Sequence, residues 1–247
     1  MSDTVVLDCR LTLHEPTFFA SREIDRLYLT EAVIGNYALV YALRLAQSPY
    51  YIERHRPQYA EDFQALIKQG VYLTPAYPIT PLQFRVERFN VQTETYWSTY
   101  TNGAILFDPA EKKKTKPKPY ANNRPQQGSI KMLAPGMVFR FFVFGMSIEH
   151  LPAYLRLGKF VSKARLECQP RRAIRQPQGK YSLTGYYNPL DWPQNGKVEL
   201  CNIINIHPVP VMQAVVYRGE VYHLDDNSTI AANLAFRFED RSKGNSA

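Results

Sequence analysis

Residues 136–145 (GMVFRFFVFG) restrict the fold more than any other stretch of this chain. They are apolar on both faces apart from Arg140, the pattern of a central strand buried from two sides. A chain that contains such a strand must build a sheet around it and then cover that sheet. Residues 5–15 (VVLDCRLTLHE) alternate instead, with Leu7, Cys9, Leu11 and Leu13 on one face and Asp8, Arg10, Thr12 and His14 on the other. That is a strand with one buried side.

Around these two strands the pattern predicts helices and further strands. A helix over residues 30–46 starts with Thr30 as N-cap and buries Ile34, Tyr37, Ala38, Tyr41 and Leu45. A second helix from Pro57 buries Tyr59, Phe63, Leu66 and Ile67 and stops at Gly70. Residues 71–79 read as a short strand ended by prolines. In residues 82–91 the apolar phase slips after Val86, which predicts a bulge or turn near Arg88. Residues 94–101 (ETYWSTYT) are a candidate pairing partner for that strand. Residues 197–206 and 211–224 read as strands, the latter with a turn at Arg218-Gly219. Strands and helices in this order predict an α+β fold with an antiparallel sheet, not alternating βαβ units.

Length allows one large domain or a domain with an appendage: 247 residues, 45% hydrophobic, with 17 tyrosines. The formal net charge is +8, and two windows exceed it on their own. Residues 156–180 hold eight Lys or Arg against Glu167, and residues 111–131 hold seven against Glu111. The rest of the chain is therefore net acidic, by five charges. Such local excess suits an anionic polymer or a membrane surface. The membrane reading needs an amphipathic helix with a basic polar face, and the best helix carries Arg44 alone.

Cys9, Cys168 and Cys201 are odd in number, widely spaced and without a C-x-x-C motif. This predicts neither a disulfide framework nor a zinc site and suits a reducing cytosol. The first residues, MSDTVVLDCR, carry no apolar signal core, so a cytoplasmic location is expected. No cofactor motif is present: P-loop, G-x-G-x-x-G and G-x-S-x-G are all missing.

Residues 102–132 are rich in Pro, Lys, Asn and Gln and almost free of apolar side chains. They read as a projecting arm in which Lys112, Lys113, Lys114, Lys116, Lys118, Arg124 and Lys131 face phosphates and Tyr120 offers a stacking surface. The bland alternative is a solvated loop. In residues 154–180 a strand would place Lys163, Arg165 and Glu167 on one face, whereas a helix would align Arg156, Lys159 and Lys163. Either way Gly158 sits among cations, where a missing side chain lets backbone N–H groups approach a phosphate. Here the bland reading is a charged edge strand that resists aggregation. A metal-independent ribonuclease needs a base and a cation, and His14 with Lys159 is the candidate pair.

Several stretches resemble one known family: LTLHEPTFFASREI, TEAVIGNYALVYAL, GVYLTPA, Phe89-Asn90 and above all LPAYLRLGKFVSKARLE. They are similar to the Cas-five subunit of type I-D CRISPR effector complexes, within the RAMP superfamily. The resemblance spans most of residues 7–168. It implies a ferredoxin-like, RRM-type fold in residues 1–150 with a thumb-like arm at 102–132. Residues 151–247 would add the glycine-containing basic segment and a β-rich C-terminal part. The implied role is non-catalytic: gripping the 5′ handle of the CRISPR RNA within the Cascade assembly. Partners implied are backbone subunits of Cas-seven type, a large subunit of Cas-ten type and target DNA near its PAM. The implied RNA contacts are Arg22, Arg156, Gly158, Lys159, Phe160, Lys163, Arg165, Arg171, Arg172 and Arg175. One branch of the wider family cuts the precursor RNA itself, which keeps a metal-independent endoribonuclease as the alternative.

Overall fold

The computed structural model describes residues 4–24, 27–46, 57–91 and 126–238. At its centre β1 (Thr4–Leu13) lies between β8 (Val138–Phe144) and β10 (Ser162–Ser182), antiparallel to both. Leu7, Cys9, Leu11 and Leu13 face the core as the alternation requires, joined by Phe139, Phe141 and Val143. Outside β8 pair two short strands, β4 (Tyr72–Leu73) and β5 (Tyr77–Pro78). On the other side β10 pairs with β9 (Tyr154–Leu157), then with β12 (Val211–Leu224). β12 carries β11 (Lys197–Ile204) and β13 (Thr229–Ala231). The resulting sheet has nine strands, in the main order β11-β12-β10-β1-β8-β4, and it runs across position 150 without a break.

A second sheet of four strands is built from β2 (Arg22–Ile24), β3 (Leu27–Leu29), β7 (Gln126–Leu133) and β6 (Phe84–Val91), ordered β2-β3-β7-β6. Only its β3–β7 pair is parallel. Three short helices, α1 (Asn36–Ala42), α2 (Tyr59–Asp62) and α3 (Gln64–Gln69), bury Tyr37, Leu39, Val40 and Leu66 in the main core, with Phe63 at the α2–α3 junction. No helix among the described residues is long and apolar enough to cross a membrane.

Several expectations need correction. The first helix starts after Gly35, not Thr30. Leu27–Leu29 finds strand partners instead, and the Thr30 hydroxyl donates to the Phe19 carbonyl at 2.8 Å while accepting from its amide at 3.0 Å. The second helix breaks at Phe63, and that break leaves Ile67 42% exposed. Gly70 does terminate it, at φ +70°.

No bulge interrupts β6, whose register with β7 is continuous from Phe84–Leu133 to Val91–Gln126. Val86 is solvent-exposed, so burial does not fix the apolar phase at that position. Residues 94–101 lie outside the described residues. Residues 126–132, expected in the arm, belong to β7, and residues 102–125 lie outside the described residues. β12 does not turn at Arg218-Gly219. Gly219 instead leaves room for the Tyr217 ring, which folds over it on the same face. Cys9 and Cys168 are not free thiols: they sit opposite one another in the β1–β10 register and are joined by a disulfide.

Two polar clusters stand in this apolar frame. Arg140 donates to both oxygens of buried Asp8, at 2.7 and 3.1 Å, and also pairs with Asp226. Asp191, fully buried, accepts from Asn36 Nδ2 at 2.7 Å and from the Tyr72 hydroxyl at 3.0 Å. Burial raises the Asp191 carboxyl from 3.8 to about 7, against the pull of those two bonds and of Arg237. The folded state therefore binds a proton that the unfolded state releases near its ordinary value, and stability falls as pH rises from about 4 to about 7. The gap corresponds to roughly 4 kcal/mol at most. Replacing Asp191 by Asn removes this dependence. Thermal melts at about pH 5 and about pH 8 should show the variant gaining on the wild type at the higher pH; a constant difference would contradict the assignment.

Candidate nucleic-acid interface

β9 and β10 form a hairpin, which decides between the two geometries left open by the sequence. Leu155, Leu157, Ala164 and Leu166 point to the core, whereas Tyr154, Arg156, Lys163 and Arg165 lie on the outer side. The helical alignment of Arg156, Lys159 and Lys163 does not occur. Residues 158–161 make the turn, with positive φ at both ends: Gly158 at +68° and Val161 at +54°.

This turn is strapped to the chain that follows β1. The Lys159 amide donates to the Phe18 carbonyl at 2.8 Å, and Ser162 Oγ donates to the Pro16 carbonyl at 2.6 Å. A Cβ on Gly158 would overlap that same Phe18 carbonyl oxygen. The fold itself therefore needs glycine here. The space in which a phosphate was expected is filled by backbone, and one of the amides expected to meet it is already bonded.

Beside the turn opens a cleft of about 660 Å³. One wall comes from Phe18, Ala20, Ser21, Arg22 and Glu23, another from Tyr28 and Ile130 of the small sheet. Lys159 and Phe160 project from the turn, and Asn205 and His207 close the cleft from the loop after β11. Phe160 is 54% exposed and stacks on buried Phe18, with ring centroids 5.1 Å apart and planes inclined by 28°. Arg22 is paired with Glu31, whereas Lys159 has no acidic partner among the described residues. The charge of Glu23 beside it, reinforced by a hydrogen bond, holds the Tyr28 hydroxyl above its ordinary value. Of the residues singled out in the sequence, Arg22, Lys159 and Phe160 thus converge. Phe18, Tyr28, Asn205 and His207 were not anticipated. Phe18 lies in the recognisable FFAS stretch, but no local signal marks the other three.

The remaining cations lie elsewhere. The Lys163 ammonium sits 4.6 Å from the centre of the Tyr154 ring, which His14 meets edge-on at 6.1 Å. Arg10, also exposed, stands opposite Glu167 in the neighbouring strand. Arg156 pairs with Glu15 at 3.4 Å and Arg165 with Glu167 at 2.8 Å. Arg171 is drawn to buried Asp8 at 3.3 Å, Arg175 pairs with Glu220, and Lys180 reaches Glu199 at 2.9 Å. Arg172 is exposed on the same strand. Much of the positive window is thus met by acids of β10 itself, of other strands of the sheet and of the segment after β1. Exposed pairs of this kind contribute only ~0–1 kcal/mol each, so a phosphate can displace the carboxylate. Arg171 differs, because leaving Asp8 would strip a buried acid of one of its two cations.

Lys112, Lys113, Lys114, Lys116, Lys118, Tyr120 and Arg124 fall outside the described residues. Lys131 lies in β7 with its ammonium 3.8 Å from the centre of the Phe84 ring. No hydrogen bond or ion pair joins His14 to Lys159. Among the described residues no three His, Cys, Asp or Glu side chains gather as metal ligands would.

The hairpin, its glycine turn and the strand order around β1 position the cleft. No curated protein matches the chain. A family profile, that of the type I-D CRISPR-associated protein Cas5/Csc1, matches residues 4–239 of the 247. The match takes in β1, the helices, both sheets and the turn at Gly158 alike, and on that ground the chain belongs to the type I-D CRISPR Cas5/Csc1 family.

Proposed function

We propose that this chain is a non-catalytic, RNA-binding subunit of a type I-D CRISPR surveillance complex, serving antiviral defence in the cytoplasm. In this reading it grips the 5′ handle of the CRISPR RNA at the cleft beside the 158–161 turn. One observation carries the proposal: an exposed phenylalanine stacked on a buried one, and a lysine without an acidic partner among the described residues, meet in a single cleft. Phosphates supply most of the affinity of such a site, and an aromatic face adds sequence-tolerant stacking.

The order β10-β1-β8-β4, antiparallel throughout, with α1–α3 between β1 and β4, supports a ferredoxin-like core of the RAMP type. The arm expected from the sequence is its thumb-like extension. Neighbours in the assembly are backbone subunits of Cas-seven type and a large subunit of Cas-ten type, close to the target DNA and its PAM.

Binding of single-stranded RNA to the purified chain should weaken steeply between low and moderate salt. Lys159→Ala and Lys163→Ala should each flatten the log–log salt slope by about one. A slope that is flat in the wild type, or unchanged in both variants, argues against phosphate contacts at the hairpin. Gly158→Val belongs in the same series as a control for folding, because it should lower the melting temperature with no RNA present.

His14 tests the catalytic alternative. Losing a general base typically costs about 10²–10⁴ in rate. His14→Ala should leave processing of a precursor RNA by the assembled complex within severalfold of the wild type. A loss in that range would instead mark the chain as the nuclease.

A further inference from the structure

We propose that the cleft beside the 158–161 turn holds one unstacked nucleotide, its base on the outer face of Phe160 and its phosphate on Lys159. This rests on the RNA-binding reading and narrows it from a charged surface to a pocket for a single base.

Phe160 provides the first argument. Phe160 is 54% exposed and Val161 beside it 58%, so the turn presents two neighbouring apolar side chains to water rather than one isolated residue. One face of the Phe160 ring lies on Phe18, which is buried, so the ring is already fixed in orientation. A base stacking on it immobilises no further side chain.

The turn provides the second. Val161 is β-branched and sits at φ +54°, a conformation that costs such residues on the order of 1–2 kcal/mol. Strain of this kind persists where surrounding contacts over-determine it, and it gathers at binding sites. Here the Phe18 and Pro16 carbonyls hold the turn from below, and the result is Lys159 and Phe160 side by side above it.

The cleft itself provides the third. Its volume, about 660 Å³, lies within the range of small-ligand sites. A bare anion would not choose it, since Glu23 and the aromatic residues Phe18, Tyr28 and Phe160 are in the lining. A nucleotide suits all three features: a flat apolar base for Phe160, edge N–H groups for the Glu23 carboxylate and Asn205 amide, and a phosphate for Lys159. Unpaired bases in RNA loops and ends are recognised in this manner.

The test uses the full-length chain and a set of short single-stranded RNAs, each with 2-aminopurine at a different position. Fluorescence quenching should concentrate at one position, and Phe160→Ala should abolish it and weaken binding roughly 10-fold. Phe160→Trp should restore both, whereas Phe160→Leu should restore neither. Melting temperatures should be close to wild type throughout, because the replaced ring is largely outside the core. DNA of the same sequence forms a second arm: weaker quenching identifies the strand as RNA, and equal quenching leaves a pocket for either single strand. If RNA binds with its salt dependence intact but Phe160→Ala changes neither affinity nor quenching, the pocket is wrong and the RNA-binding reading survives. Full rescue by Phe160→Leu also overturns stacking. If the wild-type chain binds no RNA at low salt, the broader reading falls and takes this one with it.

Discussion

The pairing of β10 is the constraint on which the rest of this structure depends. Its 21 residues exceed what one neighbour can cover, so its first half pairs with β1 and its second half with β12. The change of partner falls at Ala173, which is opposite Thr4 on one side and Leu224 on the other and is fully enclosed. Because side chains alternate along a strand, a slip of one residue here would turn Lys163 and Arg165 inward and Ala164 and Leu166 outward. The Cys9–Cys168 bond joins directly opposed residues and is compatible with one register only. The position of the hairpin turn, and with it Lys159 and Phe160, follows from that register.

The same register arranges the charges. Cations on the outer side of β10 meet acids on β1, β11 and β12, and a segment that looks uniformly basic in sequence becomes a set of pairs across strands. The pairs are not equivalent. Arg140 and Arg171 share Asp8, an acid with almost no access to water, and serve to neutralise it inside the sheet. Arg156, Arg165 and Lys180 hold exposed partners and can exchange them at little cost. Lys159 has none to lose among the described residues. A basic window therefore divides into structural and available charge, and the available part includes Arg156, Lys159 and Arg165 at and beside the turn.

What could be read from the sequence was what depends on local pattern. The alternation in β1 and the doubly apolar β8 identified the centre of the sheet, because burial fixes side-chain phase there. Where burial did not fix it, the reading failed: exposed β6 carries slipped apolar residues without a bulge, and Gly219 accommodates a ring rather than a turn. The helix boundary at Gly35 was hidden by Thr30, a residue with good capping chemistry whose hydroxyl is engaged by Phe19 instead. Cys9 and Cys168 are 159 residues apart, and their union is a property of strand register that spacing does not encode. The cleft has the same character. Its lining comes from four separate segments, and only Arg22, Lys159 and Phe160 stood out before the segments were brought together.

Gly158 shows how a residue at the right place can carry the wrong role. A glycine among lysines suggests a cradle in which backbone amides meet a phosphate. The structure instead presses that glycine onto the Phe18 carbonyl and commits the next amide to the same oxygen. Any side chain at this position would lift the turn from its support, which would tilt Phe160 off Phe18 and move Lys159 with it. Glycine therefore serves the fold here, by allowing the close approach that fixes the two side chains beside it.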